Sequence, residues 1–310
     1  LFYLFISLGG VVGTLIVSIV APLVFNDWLE FPLGIMAAAL SAVILFPAMR
    51  YVRDEYTRPV VVMRAIVLFV VAAVGMYNVR TLNNFYFYVT RNFYGVVKIY
   101  EGEGERKLYS GTTLHGKQFT DPKLAIRPST YYGAGSGAGR AIAYESLLQK
   151  GKKNTGLNVG VIGLGTGSIA AYCSSTDRFV FYEIDARLED IAREYFTYLP
   201  NCARGEVRIG DGRKLLEAEL ARGEAQKFDV FAVDAFSNDV IPAHLLTKES
   251  VALYLAHLKD DTSLLVIHTS NRYLELAPVV VRIADEFGLA SLVVNDAGDE
   301  EKYGIGLTSS

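Results

Sequence analysis

Cysteine is scarce. Two residues, Cys173 and Cys202, in a chain of 310 exclude a disulfide scaffold. Histidine is nearly as scarce, with four residues, and the histidines and cysteines show no ligand spacing for a structural zinc site. There is no excess of positive charge. Lys and Arg number 30 against 33 Asp and Glu, the net charge is -3 and the pI is near 5.9, so a nucleic-acid or other polyanionic partner finds no support. The low apolar content that marks disorder is also missing: hydrophobic residues make up 51% of the chain, with 17 Phe and 19 Tyr.

What is abundant is apolar sequence, and it is unevenly placed. Mean hydropathy is +0.27, with the excess in residues 1–79. Leu1–Phe25 and Phe31–Met49 carry no charge, and Val60–Val79 carries only Arg64. Crossing ~30 Å of hydrocarbon takes ~20 apolar residues. The first stretch meets that length, the second just does, and the third does if Arg64 snorkels from near its end. Residues 1–82 are therefore read as about three membrane spans, with buried helices of a soluble domain as the competing reading. A signal peptide fits poorly, because no basic start precedes the first stretch and two more apolar stretches follow it. The start inside a span suggests a piece of a larger membrane protein.

From Asn83 the character changes. Phe85–Tyr88, Gly95–Tyr100 and Lys107–Ser110 are short, aromatic or β-branched, and set apart by Gly and charge, which predicts a small antiparallel sheet in residues 83–126. Arg127–Gly139 reads as a loop and Arg140–Gln149 as a short helix. Strand patterns at Val159–Gly163, Phe179–Ile184, Glu206–Ile209, Phe228–Asp234 and Ser263–Thr269 then alternate with helical ones, and Ala290–Asn295 and Gly304–Thr308 close the series as strands. The expected fold class is α/β, with a doubly wound, Rossmann-like domain over residues 127–310. Ligands in such sheets bind outside the carboxyl ends of the strands, so the residues ending each strand are the candidates.

The first strand runs into Gly163-Leu164-Gly165-Thr166-Gly167, where glycines let the backbone turn sharply and approach a ligand. The second ends in Glu183-Ile184-Asp185, and an acid there can accept both hydroxyls of a ribose. The glycine spacing is not the Gly-x-Gly-x-x-Gly of dinucleotide turns and favours an adenosyl sulfonium, which has no pyrophosphate to cradle. Gly210-Asp211-Gly212 ends the third strand and is read as an adenine contact or a surface turn. Asp234 ends the fourth, a buried strand, where a carboxylate must be desolvated or partnered, and it is the best single functional residue. Asp239, in the loop after it, is a site residue or a helix cap. Among the histidines, His268 has the best claim to a pocket. Tyr94, Tyr131 and Tyr132 are read as lining a substrate site or as packing.

Taken together, Gly111–Gln118, Thr130–Gly133, Val161–Gly167, Tyr182–Asp185, Gly210–Gly212, Val233–Asp239 and Ile241–Thr247 resemble the spermidine synthase family, in its membrane-fused bacterial form, over about Asn92–Ser310. The resemblance implies a small N-terminal β-domain before a Rossmann-like domain. It implies aminopropyl transfer from decarboxylated S-adenosylmethionine to an amine, with release of methylthioadenosine, as in polyamine biosynthesis, and no metal. Gly163, Gly165 and Gly167 would face the donor, Glu183 its ribose, Asp211 and Gly212 its adenine. Asp234 would be the base for the attacking amine, with Gln118, Tyr131, Tyr132 and Asp239 on the substrate side. Family members commonly form dimers. Three places depart from the pattern. Thr166 stands where the family carries an Asp for the donor's amino group, Asn92-Phe93-Tyr94-Gly95 lacks a donor-binding Gln, and Thr130-Tyr131-Tyr132-Gly133 lacks an acceptor-binding acid.

Three functions follow. The first is a membrane-anchored aminopropyltransferase acting on a small-molecule or lipid-proximal amine. The second is a methyltransferase that uses S-adenosylmethionine on the same scaffold, and the third is a transporter or sensor domain that binds a polyamine or nucleoside without turnover. For topology, Arg50, Arg53 and Arg58 would place residues 50–59 in the cytoplasm by the positive-inside rule, and three crossings would then put everything after Val79 outside. The cofactor is a cytoplasmic metabolite, so the expectation adopted is a multi-pass inner-membrane protein in contact with lipid, its catalytic domain in the cytoplasm.

Overall fold

In the computed structural model, which describes residues 1–45, 57–150, 156–235, 241–270 and 274–296, the chain divides into two units, Leu1–Glu101 and Gly102–Ser310. The division falls inside the β-domain expected over residues 83–126, not at its ends.

The first unit opens with helix α1, Phe2–Val24, which has a π-helical turn at Ile16–Val20 and no charged residue. Its apolar side chains are exposed along its length, Phe5 and Val11 among them. Helices α2 (Glu30–Leu45) and α3 (Thr57–Phe85) follow. Among the described residues, only α1 is long and apolar enough to cross a membrane, because the apolar segments found in the next two helices, Glu30–Ser41 and Ile66–Tyr77, are shorter. Of the expected three spans, the described residues therefore support one apolar helix, which fits a membrane anchor or a signal sequence. Strands β1 (Tyr88–Asn92) and β2 (Gly95–Gly102) form an antiparallel hairpin that pairs Tyr88 with Ile99 and Asn92 with Gly95. The first strand was expected at Phe85–Tyr88. Helix α3 instead runs to Phe85, whose ring stacks on Tyr100 at 4.6 Å, and the strand starts where the helix has ended.

The second unit begins with a hairpin of β3 (Glu105–Ser110) and β4 (Thr113–Phe119), with a bulge between Leu108 and Tyr109. Its main sheet has five parallel strands, β5 (Asn158–Ile162), β6 (Arg178–Glu183), β7 (Gly205–Ile209), β8 (Val230–Val233) and β9 (Leu264–Ile267), in the order β7-β6-β5-β8-β9. That is the expected doubly wound order, with its reversal between β5 and β8. Alternation along the strands feeds two cores. Val159, Val161, Phe179, Phe181 and Val230 pack on one face with Ile142 of helix α4 (Gly137–Lys150). Val180, Tyr182, Phe231 and Val233 pack on the other with Leu216, Val251 and Tyr254. Each such side chain, almost fully buried, contributes ~1.5–3 kcal/mol of transfer free energy, which is why these strands read as apolar runs.

Two details differ from the sequence reading. Residues 290–295 form no strand, and Leu292 and Val293 are exposed; the expected strand Gly304–Thr308 lies outside the described residues. The two cysteines pair with each other: Cys173, after the 3-10 turn Ser168–Tyr172, bonds Cys202, after the single helical turn Tyr198–Asn201.

Candidate active site at the strand ends

The reversal between β5 and β8 brings the glycine turn and Asp234 together. Gly163 has φ +99°, and a Cβ there would lie 2.2 Å from the Asp234 carbonyl oxygen, so only glycine lets the two strand ends touch. Gly165 and Gly167 continue the turn, with the Gly167 N–H donating to the Leu164 carbonyl at 2.8 Å. Behind it lies β4. A Cβ on Gly116 would meet the Thr166 hydroxyl at 2.4 Å, so Thr166 is pressed against bare backbone, and its hydroxyl hydrogen-bonds that of Ser168 at 2.6 Å. Thr166 is buried, and no acid replaces it in the turn.

Glu183 ends β6 and is buried. One carboxylate oxygen accepts the Leu164 N–H and the other the Asp185 N–H, both at 2.9 Å. The acid therefore clamps the glycine turn. Burial raises its pKa, while the backbone donors pull the other way. Asp185 caps helix α5 (Ala186–Tyr195) and pairs with Arg187 at 2.9 Å.

Asp211 is the N-cap of helix α6 (Gly212–Ala221), accepting the Lys214 N–H at 3.1 Å, and its second oxygen lies 3.3 Å from His244 Nε2. Gly212 lets α6 sit close to the sheet: a Cβ there would lie 3.0 Å from Ile162. The position is tight for packing whether or not adenine binds beside it.

Asp234 sits in different surroundings. Its carboxyl is buried, 3.7 Å from His268 Nδ1, and the Tyr131 ring meets the His268 ring edge-on with centroids 4.8 Å apart. Burial alone raises the Asp234 pKa well above the carboxylate range. Burial also lowers that of His268 to about 4. The Tyr131 phenol is raised by burial first and by Asp234 second. Burial thus disfavours the charged form of both Asp234 and His268. Tyr131, Tyr132, Asp234 and His268 line one cavity of about 1190 Å³, which Glu183, Gly163 and Asp211 do not line.

The remaining expected residues have other surroundings. Gln118 donates to the Ala125 carbonyl at 2.9 Å and to the Thr197 hydroxyl at 2.7 Å, and accepts the Thr197 N–H at 3.1 Å. Both of its donor hydrogens are spent on the scaffold, so it has none for a substrate. The Tyr132 carbonyl accepts the Tyr172 hydroxyl at 2.6 Å, and its ring belongs to the core. Asp239 lies outside the described residues. Sequence reasoning flagged Asp234, His268 and Tyr131 separately but not as one cluster, and no local signal joins positions that three distant segments supply. It also missed the contact of Gly116 with Thr166, for which a glycine inside β4 was the available sign.

No family model matches the chain. A polyamine aminopropyltransferase from Vibrio vulnificus is 31% identical over 112 residues, which is 35% of this chain and 36% of that protein. The match thus spans about a third of the curated relative's length. Among solved structures, human methyltransferase-like protein 13 in complex with SAH shares 21% identity over 48% of this chain and 69% of its own, with a TM-score of 0.39. A Streptococcus mutans protein described as a SAM-dependent methyltransferase shares 12% identity over 66% of this chain and 46% of its own, with a TM-score of 0.40. Likeness at that level carries no functional weight, and the fold assignment rests on the strand order.

Proposed function

We propose that residues 102–310 form a transferase for an adenosyl sulfonium donor, moving an aminopropyl group from decarboxylated S-adenosylmethionine to an amine and releasing methylthioadenosine. The observation that carries this reading is Asp234, a buried carboxyl at the strand reversal, beside the glycine turn and next to His268 and Tyr131. As an acceptor ammonium docks, its positive charge lets the Asp234 carboxyl release its own proton to solvent, and the resulting carboxylate takes a proton from the ammonium. The freed lone pair attacks the methylene carbon next to sulfur. The N–C bond forms as the C–S bond breaks, and the electron pair passes to sulfur, which loses its charge. Glu183 and the glycine turn hold the donor so that carbon and nitrogen meet in line. The partial sequence likeness to a polyamine aminopropyltransferase supports this chemistry.

A second reading has its own observation. Thr166, engaged with Ser168, gives the turn no acid for a propylamine end, and that favours S-adenosylmethionine itself as donor and methyl transfer as reaction. One experiment separates the two. The purified chain is incubated with each donor and a panel of amines, and products are identified by mass spectrometry. Methylthioadenosine supports the first reading and S-adenosylhomocysteine the second. Tight donor binding with neither product overturns both and leaves a binding protein.

A further inference from the structure

We propose that the 102–310 unit folds and works on the oxidising, non-cytoplasmic side of a membrane, with Cys173 and Cys202 joined as a disulfide in the working protein. This goes beyond the chemistry proposed above and does not rest on it. It reverses the cytoplasmic placement expected from the sequence.

Three observations carry it. The first is the disulfide itself: the chain's only two cysteines, 29 residues apart in sequence, are bonded to each other. Disulfides persist in secreted and periplasmic compartments and are rare where glutathione and thioredoxin keep thiols reduced. The second is charge. Apolar helix α1 is followed by Asp27 and Glu30, and the first basic residue after it is Arg50. Cytoplasmic flanks are enriched in Lys and Arg, so a flank without either over its first ~15–20 residues favours the non-cytoplasmic side.

The third observation ties that flank to the chain that follows. Lys98 of β2 pairs with Asp27 at 2.7 Å, lying against the Tyr86 ring, and both ions are nearly buried. Arg91 of β1 grips both oxygens of Glu30 at 2.8 Å and donates to the Asp27 carbonyl at 3.1 Å. The segment leaving α1 and the β1–β2 hairpin therefore lie on one side of a membrane. Strand β2 runs through Gly102 into the second unit, where no described helix is long and apolar enough to cross back. The side that receives the end of α1 is thus the side on which Cys173 and Cys202 meet an oxidant. Bond formation removes two electrons and two protons from the thiols. A thiol–disulfide oxidase of that compartment takes them up as its own disulfide is reduced to a dithiol.

The test uses the full chain in bacterial cells. Cells are quenched in acid, free thiols are blocked with a small maleimide, and the protein is then reduced and labelled with a large maleimide that shifts it on a gel. The expected result is two large tags on each chain, and none if the reduction is omitted. Parallel fusions after Ser310 place alkaline phosphatase, active only outside the cytoplasm, or a fluorescent protein that matures only inside; active phosphatase and a dark fluorescent fusion are expected. Uptake of the small maleimide by both cysteines in quenched cells, or a bright fluorescent fusion, overturns the proposal. Neither readout involves the donor, so failure here leaves the transferase reading standing, and failure of that reading leaves this one standing; where both hold, the donor, a cytoplasmic metabolite, has to be delivered to the outer side.

Discussion

The two flanks of the β5/β8 reversal use the same residue type in opposite ways. On the flank of β5, β6 and β7, every acid at a strand end is wired to backbone. Glu183 accepts two N–H groups, and Asp185 and Asp211 cap helices. On the flank of β8 and β9, Asp234 has His268 at 3.7 Å and a pKa raised by burial alone. A wired acid is held in one place whether or not a ligand is bound. An acid buried without such wiring has a raised pKa, which on the proposed reading suits a carboxylate that takes a proton from an amine. On the proposed function, the first flank is the cradle for the donor and the second is the reactive edge.

The strongest test of that contrast is Asp234→Asn. It preserves size and removes the base, so kcat should fall ~10²–10⁴-fold while donor affinity holds. Steady-state kinetics and calorimetric titration of the donor check it. An equal loss in both quantities would erase the distinction between the flanks.

The disulfide belongs to the cradle. It closes a loop that contains β6 and Glu183, with its two cysteines 29 residues apart. For that loop length, chain entropy gives ~3–4 kcal/mol of stabilisation. The double substitution Cys173→Ser, Cys202→Ser should lower unfolding free energy by about that amount in urea titrations. A loss under ~1 kcal/mol would mean that packing alone holds the cradle.

A third test concerns acid pH. His268 titrates near 6.5 when unfolded and at about 4 when folded. Above pH 6.5 it is neutral in both states and contributes nothing. As pH falls from 6.5 toward 4, the unfolded chain takes up a proton that the folded chain refuses, so stability drops, by ~3 kcal/mol at the low end. Asp234 works in the opposite sense, because its raised pKa lowers stability as pH rises. His268→Gln should therefore flatten the wild-type decline between pH 6.5 and 4. An unchanged slope would place the His268 ring in water, not in the buried cluster.

What could be read from the sequence follows the same division. Four of the five parallel strands were legible because both sheet faces are covered, which leaves apolar runs such as Val230–Val233; β7, at the sheet edge, alternates with Glu206 and Arg208. The acids and glycines were legible because each ends one of these strands. Strand β4 was not, since Thr113–Phe119 mixes polar side chains with Gly116 and lacks that run. The cysteine pairing was not, since it depends on how the β6 crossover folds back beside the turn after β5. Of the three spans expected in residues 1–79, the described residues hold one helix long and apolar enough to cross, and the second expected stretch, Phe31–Met49, runs beyond the described residues.

Within the cradle, Glu183 separates clamping from ligand binding. Glu183→Ala leaves the Leu164 and Asp185 N–H groups without their acceptor and should cost ~1–3 kcal/mol of stability. Glu183→Gln keeps an acceptor oxygen and should cost less, yet still weaken donor binding if the carboxylate grips a ribose. Urea titration and donor titration of both variants resolve the two roles.

The smallest effect is the most exacting. Asp211 caps α6 through the Lys214 N–H and lies 3.3 Å from His244. Asn caps a helix about as well as Asp, whereas Ala does not and typically costs ~1 kcal/mol. If Asp211 only caps, Asp211→Asn is neutral in both stability and donor affinity, and Asp211→Ala loses stability alone. If it also holds adenine as an acceptor, Asp211→Asn keeps stability and loses affinity, because one of its two acceptor oxygens has become a donor. A neutral Asn variant would make all three wired acids candidates for pure scaffolding and leave Asp234 the one strand-end carboxyl with chemistry to perform.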